Sequence, residues 1–269
     1  MKISFGRYYQ GDSLLHRMDP RLKLVQCLFF LVAVFSLSTY AGIAAGGVAV
    51  LALVFLSKLS FRVLWGSIRT VTTLILFIFV LNIFSVRTGT EFFSWGIILV
   101  TQEGVSRAFF MAIRLVLLVL STSIFLTLTT TPFLLADSME SLLSPLKRIR
   151  FPVHEMAMMM SLALRFIPTL VEETDKIMKA QASRGANYDT GSLLSRIRAY
   201  LTVLIPLFVS AFKRAEELSF AMEARCYRGG EGRTKMKVLH ASRRDWVLFG
   251  GLTGVCVCLL LLDFWVKLL

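Results

Sequence analysis

Residues 24–57 form a run of 34 positions without a single charged side chain. About 20 apolar residues suffice to cross the hydrocarbon core of a bilayer, so this run is too long for one crossing. Tyr40 and Gly42 lie near its middle, where a tyrosine suits the membrane interface and a glycine suits a turn. The run therefore predicts two membrane-spanning helices joined by a short turn.

Further apolar segments predict three more membrane-spanning helices. The chain as a whole is 56% hydrophobic and only 17% charged, which is far too apolar for a soluble domain of 269 residues. The sequence thus predicts an all-α polytopic membrane protein with about five transmembrane helices, multi-pass in the cell membrane. The three additional segments are 71–86, 108–129 and 246–262.

The positive charges predict the orientation of the chain. Lys and Arg are enriched in short cytoplasmic loops, and two segments here are rich in them. We therefore expect a cytoplasmic N-terminus, a cytoplasmic loop between the second and third spans, and a C-terminus outside. Arg114, inside the fourth apolar segment, is expected to reach the outer interface. The basic residues of the two segments are Lys2, Arg7, Arg17, Arg21 and Lys23, and Lys58, Arg62 and Arg69.

A long basic stretch separates the fourth apolar segment from the last one. Between Lys147 and Arg244 it carries 18 Lys and Arg against 9 Asp and Glu. Apolar residues recur at three- and four-residue spacings over 154–184 and 193–225, which predicts two long amphipathic helices. The predicted domains are a four-helix membrane domain (1–130), a cytoplasmic coupling domain of long amphipathic helices (131–245) and a C-terminal transmembrane helix (246–269).

A rival topology makes 156–171 and 197–212 two further membrane crossings. It preserves the orientation of both termini, so the parity of crossings does not exclude it. It would place Arg165 within a crossing and five basic side chains outside, against the positive-inside bias. The five side chains are Lys176, Lys179, Arg184, Arg196 and Arg198.

Neither an enzyme nor a cofactor site is predicted. The chain lacks the G-x-x-x-x-G-K-[ST] loop, its three histidines are scattered, and its four cysteines lack metal-ligand spacing. No catalytic, cofactor-binding or metal-binding residue follows. The net charge of +13 suits cytoplasmic loops facing anionic lipids, so the expected partner is the lipid bilayer and not nucleic acid.

Two arginines end the predicted long helices in the same way, in "AQASRGANYD" and "AMEARCYRGG". A cation in the last helical turn complements the helix dipole, and a following glycine caps the helix, which would explain each arginine locally. However, small neighbours would also let a partner approach each guanidinium, which is suited to a bidentate grip on carboxylates. The arginines are Arg184, flanked by Ser183 and Gly185, and Arg225, flanked by Ala224 and Cys226.

These motifs, with "LHRMDPRLKL" before the first span, resemble the transmembrane T component of energy-coupling factor (ECF) transporters. These ABC-type systems import vitamins and some metal ions. The resemblance covers essentially the whole chain, including the order of four spans, a coupling domain and one final span. It implies a non-catalytic subunit that transmits ATP-driven motion to a separate, small, membrane-embedded substrate-binding subunit.

The resemblance also implies that each X-Arg-X motif docks in a groove of one of two ABC ATPase subunits. Arg184 and Arg225 would be the anchors, and Ser183, Gly185, Ala224 and Cys226 their close-packing neighbours. Cys226 departs from the glycine that the family often has, but it keeps a small side chain. The alternative function is a stand-alone secondary transporter or channel, which would need ionisable groups or broken helices near the membrane midplane.

Overall fold

The computed structural model describes residues 11–85, 91–95, 98–149, 151–188, 192–229 and 240–268. Helices make up almost all of this part of the chain, which confirms the predicted all-α class. The membrane-side helices are α1 (Leu14–Arg17), α2 (Pro20–Ser36), α3 (Tyr40–Ser57), α4 (Phe61–Ser85), α5 (Gln102–Thr122) and a π-helix (Ser123–Leu128). There follow α6 (Pro132–Leu142), a 3₁₀ helix (Ser144–Ile149), α7 (Val153–Ser183), α8 (Leu193–Ala224) and α9 (Arg243–Leu268).

A short antiparallel pair of strands connects α4 to α5. Strand β1 (Glu91–Trp95) pairs with β2 (Ile98–Thr101), with Trp95 opposite Ile98. These strands, between the apolar segments 71–86 and 108–129, were not predicted from the sequence. Thr101 ends β2 and caps α5, because its hydroxyl accepts a hydrogen bond from the N–H of Gly104 at 3.1 Å.

In the part of the chain that the structure describes, five helices are long and apolar enough to cross a membrane: α3, α4, α5 with its π-helix, α8 and α9. The number agrees with the prediction, but the set differs from it. Helix α2, predicted as the first span, is 17 residues long, whereas α8, predicted as a coupling helix, is 32 residues long and qualifies. By length and composition, α8 can therefore serve as a coupling helix, as in the five-span topology, or as a membrane crossing, as in the rival topology.

The described residues divide into two compact units: 11–138 with 240–268, and 139–229. The first, called the membrane unit here, has a buried apolar core to which α2, α3, α4, α5, the π-helix and α9 contribute. Phe30 on α2 and Phe125 in the π-helix are both at most 2% exposed, and their ring centroids are 6.1 Å apart. The second, called the coupling unit here, is built around α7 and α8.

The segment "LHRMDPRLKL" caps one helix and clamps the end of another. The Asp19 carboxylate accepts a hydrogen bond from the N–H of Arg21 at 2.9 Å, and Pro20 begins α2. Lys23 is only 1% exposed, and its ammonium donates to the carbonyl of Thr129, just after the π-helix, at 3.1 Å. It also donates to the carbonyl of His16 at 3.3 Å. The segment thus ties the start of α2 to the end of the π-helix.

The turn between α2 and α3 is held by Asp263 near the end of α9. Its carboxylate accepts hydrogen bonds from the backbone N–H groups of Ser38 and Thr39, at 2.9–3.1 Å, and from both hydroxyls. The break thus falls just before Tyr40. Gly42 lies within α3 and does not form the predicted turn. A Cβ there would lie 2.3 Å from the Asp263 Oδ1 atom, so close approach of α9 requires the glycine.

Arg114 on α5 lies beside the same turn. Its guanidinium donates to the carbonyl of Leu37 and lies 4.8 Å from the ring centroid of Phe110. Both partners lie within the membrane unit. Because Leu37 belongs to the turn between α2 and α3, which the predicted topology places outside, this contact is compatible with the expected position of Arg114 at the outer interface, which stays a prediction.

Candidate docking site

Helices α7 and α8 pack side by side in antiparallel directions. Near the end of α7, Met178 shares a groove with Tyr200, close to the start of α8. Near the beginning of α7, Leu162 shares a second groove with Leu218, close to the end of α8. Both helices end within one residue of the ends that the sequence predicted.

A polar contact fixes the register of this helix pair. The Arg214 guanidinium on α8 donates to the Glu173 carboxylate on α7 at 2.8 Å, and the Ser210 hydroxyl donates to the same carboxylate. The side chains of Arg214 and Glu173 are 35% and 23% exposed. Because the pair is partly buried, sliding α7 along α8 would leave a desolvated charge without its partner.

The C-terminal end of α7 forms a Schellman motif. Arg184 is the C-cap residue, with φ −91° and ψ 7°, and Gly185 follows with φ +91°. The N–H of Gly185 donates to the carbonyl of Ala182, and the N–H of Ala186 donates to that of Gln181, both at 3.0 Å. These two bonds satisfy carbonyls that a helix end leaves without intrahelical donors.

The C-terminal end of α8 repeats this motif. Arg225 is the C-cap residue, with φ −90° and ψ 10°, and Cys226 follows in the left-handed region with φ +56°. The N–H of Cys226 donates to the carbonyl of Glu223 at 2.9 Å, and the N–H of Tyr227 donates to that of Met222 at 3.0 Å. Cys226, which stands where the family often has glycine, therefore occupies a left-handed backbone position that favours glycine.

All six residues of the two predicted motifs are exposed. Within the described part of the chain, neither guanidinium has a hydrogen-bond or ion-pair partner. The side chains beside them are a hydroxymethyl, a hydrogen, a methyl and a thiol, so a partner can approach closely. The motif residues are Ser183, Arg184 and Gly185, and Ala224, Arg225 and Cys226.

The two arginines lie at opposite ends of the helix pair. Arg225 lines a groove with Met158 and Arg165, near the beginning of α7, whereas Arg184 directly follows the last residue of α7. The 25 residues between Met158 and Ser183 span roughly 35 Å at 1.5 Å per helical residue. The two arginines are therefore well separated along the helix pair.

Two further arginines beside Arg225 were not predicted from the sequence. Arg165 and Arg228 line the same groove as Arg225. Helical spacing was a usable signal for part of this arrangement, because Met158, Leu162 and Arg165 lie three or four residues apart along one side of α7. The position of Arg228 beyond the end of α8 gave no such signal.

The helices define a polytopic membrane protein with a second helical unit that carries two exposed arginines at its helix ends. The model of the cobalt transport protein family matches residues 11–236. A relative from Ruminiclostridium cellulolyticum, named energy-coupling factor transporter transmembrane protein EcfT, is 48% identical over 253 residues, covering 94% of each chain. A relative of the same name from Bacillus subtilis is 45% identical over 257 residues, covering 96% of this chain and 94% of the relative.

A third relative of that name, from Clostridium kluyveri, is 45% identical over 267 residues and covers 98% of each chain. Identity at this level over nearly the whole length is not confined to one motif or one unit. The chain therefore belongs to the family of transmembrane energy-coupling components of ECF transporters, which confirms the resemblance drawn from its motifs.

Proposed function

We propose that this chain transmits the ATP-driven motion of two ABC ATPase subunits to a separate membrane-embedded substrate-binding subunit. The transported substrates would be vitamins or metal ions. The names of the relatives support the coupling role, and the family description supports transport. The observation that carries the proposal is the matched pair of arginine caps. They lie at the C-terminal ends of α7 and α8, which are opposite ends of this antiparallel helix pair.

Each cap is suited to enter an acidic groove on one ATPase subunit. The guanidiniums of Arg184 and Arg225 are exposed and can bind carboxylates in bidentate geometry. Two attachment points roughly 35 Å apart along α7 suit two subunits better than one. When ATP brings the two subunits together, both ends of the helix pair move with them.

The exposed apolar faces of α7 and α8 are the proposed contact with the substrate-binding subunit. Met156, Met159 and Met160 on α7 are 44%, 58% and 46% exposed. On α8, Phe208 and Phe212 are 55% and 71% exposed. Methionine side chains adapt to different partner surfaces. Movement of these faces would shift the binding subunit between orientations through contacts that differ in the two states.

The proposed domains are those expected from the sequence: 1–130 in the membrane, 131–245 as the coupling domain and 246–269 as a final span. The coupling domain and the N-terminus would be cytoplasmic and the C-terminus outside. The excess of Lys and Arg between Lys147 and Arg244 supports this orientation. The exposed apolar side chains along α8 would then contact the membrane surface and the substrate-binding subunit.

A stand-alone secondary transporter or channel has less support. Such proteins place ionisable groups at substrate or ion sites near the bilayer midplane. Lys23 and Asp263 lie near opposite ends of the membrane unit's helices, at the start of α2 and the end of α9. Each makes several fixed contacts with backbone groups. We therefore infer that Lys23 and Asp263 have a structural role and do not bind a transported substrate or ion.

The proposal is tested by co-purification of the ATPase subunits with single arginine variants. Arg184→Ala and Arg225→Ala should each reduce the amount of ATPase retained, while the exposed control Arg198→Ala should retain the wild-type amount. The purified chain alone should hydrolyse no ATP, because it lacks the phosphate-binding loop. Wild-type retention in both arginine variants would contradict the docking role.

A further inference from the structure

A groove with a volume of about 450 Å³ lies at the C-terminal end of α8, beside the first half of α7. Three arginines line it: Arg165 on α7, the C-cap residue Arg225, and Arg228 beyond it. None of the described residues that line it is acidic. Its apolar lining includes Met158, Leu162, Leu218 and Met222.

The positive charge of this groove is not neutralised by the described part of the chain. There, the guanidiniums of Arg165, Arg225 and Arg228 have no carboxylate partner. By contrast, Arg214 elsewhere on α8 is paired with Glu173 at 2.8 Å. Three like charges around one cavity create a positive potential that attracts an acidic partner.

The opposite end of the helix pair has a different surface. None of the described residues that line the groove between Met178 and Tyr200, near that end, is charged. Two arginines lie in the first turns of α8: Arg196, which donates to the carbonyl of Tyr188 at 3.1 Å, and Arg198. The described lining of this groove therefore lacks the cluster of guanidiniums that lines the groove beside Arg225.

We propose that Arg165 and Arg228 join Arg225 in binding an acidic segment of one ATPase subunit. This inference rests on the proposed function. The partner segment would carry at least two carboxylates beside an apolar side chain, because the groove combines guanidiniums with an apolar floor. The contact at the α8 end is accordingly more sensitive to salt than the contact at the α7 end.

The test uses the purified complex of this chain with its ATPases and substrate-binding subunit, in phosphatidylcholine nanodiscs. A photoreactive residue replaces exposed Ala221 or Ala180, so that cross-linking to ATPase reports each end separately. The double change Arg165→Glu/Arg228→Glu should lower cross-linking from position 221 at least tenfold and leave that from position 180 within twofold. Lys213→Glu, an exposed charge reversal outside the groove, should change neither.

A milder double change, Arg165→Gln/Arg228→Gln, removes the charge without reversing it and should lower cross-linking from position 221 about threefold. It keeps the test informative if the glutamate variant does not fold. Cross-linking that is unchanged in the glutamine variant, while Arg225→Ala abolishes it, would overturn this inference and leave the proposed function intact. If Arg225→Ala also has no effect, the proposed docking fails as well.

An anionic lipid headgroup is the competing occupant of the groove. The same cross-linking is therefore repeated in nanodiscs that contain phosphatidylglycerol. If the double glutamate change lowers cross-linking only when this anionic lipid is present, the groove binds headgroups and the ATPase proposal is wrong. A loss of equal size in both lipids supports binding of the ATPase.

Discussion

Arg184 and Arg225 occupy the same position of the same helix-ending motif, with backbone angles that agree within a few degrees. Each is followed by a residue in the left-handed region, Gly185 at φ +91° and Cys226 at φ +56°. The similarity therefore extends beyond the sequence of the motifs to the direction in which each chain leaves its helix. Both arginines are held at defined helix ends and not on irregular loops.

The first prediction concerns the cap of α8. Cys226→Gly should stabilise the last turn of α8 by about 1 kcal/mol, because a non-glycine residue in the left-handed region is strained. Hydrogen exchange of the amides of Cys226 and Tyr227 should slow accordingly. ATPase retention should stay at the wild-type level, since the guanidinium is untouched. Faster exchange in this variant would contradict the assigned cap.

The corresponding change at the end of α7, Gly185→Ala, should lower the stability of that helix end, whereas Cys226→Gly should raise the stability of the end of α8. A Cβ at position 185 would meet no heavy atom of the described residues beyond its chain neighbours within 4 Å, so the expected cost of Gly185→Ala arises from the backbone conformation. We expect it to destabilise the end of α7 by about 1–2 kcal/mol. Faster hydrogen exchange at Ala186 would show this, and unchanged exchange would contradict it.

The second prediction concerns the contact between α3 and α9. Gly42→Ala should destabilise the membrane unit by about 1–3 kcal/mol, because the new methyl group would overlap the Asp263 carboxylate. That carboxylate cannot move aside without losing hydrogen bonds from Ser38 and Thr39. Thermal unfolding of the detergent-purified protein measures the effect.

Gly47→Ala on the same helix is the matched control. Apart from the backbone of its own helix and its chain neighbours, no heavy atom of the described residues lies within 4 Å of a Cβ at this position. Alanine is favoured over glycine within a helix by up to about 1 kcal/mol, so this variant should be as stable as the wild type or more so. Equal melting temperatures for the two alanine variants would show that Asp263 does not restrict position 42.

Helix ends could be predicted from the sequence because their causes are local. The ends of α7 and α8 were placed within one residue, since small residues, glycine and basic side chains mark them. The two arginine motifs were found for the same reason. The left-handed conformation of Cys226 was not predicted, because cysteine gives no signal for it.

Contacts between distant segments could not be predicted in this way. Lys23 and Thr129 are 106 residues apart, and Asp263 and Ser38 are 225 residues apart. No spacing rule relates such positions, since only the packing of α2, α5 and α9 brings them together. The same limit explains why Arg165 and Arg228 were not associated with Arg225.

The third prediction concerns the buried ammonium of Lys23. Lys23→Met should lower the stability of the membrane unit by about 1.5–3 kcal/mol, because the buried carbonyl of Thr129 would lose a charged hydrogen-bond donor. The exposed Lys267→Met is the control and should unfold at the wild-type temperature. Wild-type stability of Lys23→Met would show that the hydrogen bond from Lys23 to Thr129 does not stabilise the membrane unit.

The fourth prediction separates the two topologies. In a background without native cysteines, Ser192→Cys should react with an impermeant thiol reagent only after the membrane is opened, because the coupling domain is proposed to be cytoplasmic. Ala41→Cys and Lys58→Cys give the outside and inside reference signals. Gly89 (outside) and Gly232 (inside) are further sites, although both lie outside the described residues. Labelling of position 192 in intact cells would support the seven-span topology.

The central claim is that Arg184 and Arg225 couple this chain to its two ATPases. Removing a guanidinium from a docked acidic groove should cost about 2–5 kcal/mol at that contact, because buried carboxylates lose their partner. Lysine at either position should restore function only partly, since an ammonium does not reproduce the bidentate fork, and glutamate should be worse than alanine.

The most direct measurement is ATP-driven substrate uptake by the double variant Arg184→Ala/Arg225→Ala, at membrane levels matched to the wild type. The protein should still insert and fold, because an exposed charge at a helix end contributes at most about 1 kcal/mol. We predict that uptake is abolished and that the ATPases no longer co-purify. Wild-type uptake and co-purification in this variant would show that both arginines serve only as helix caps.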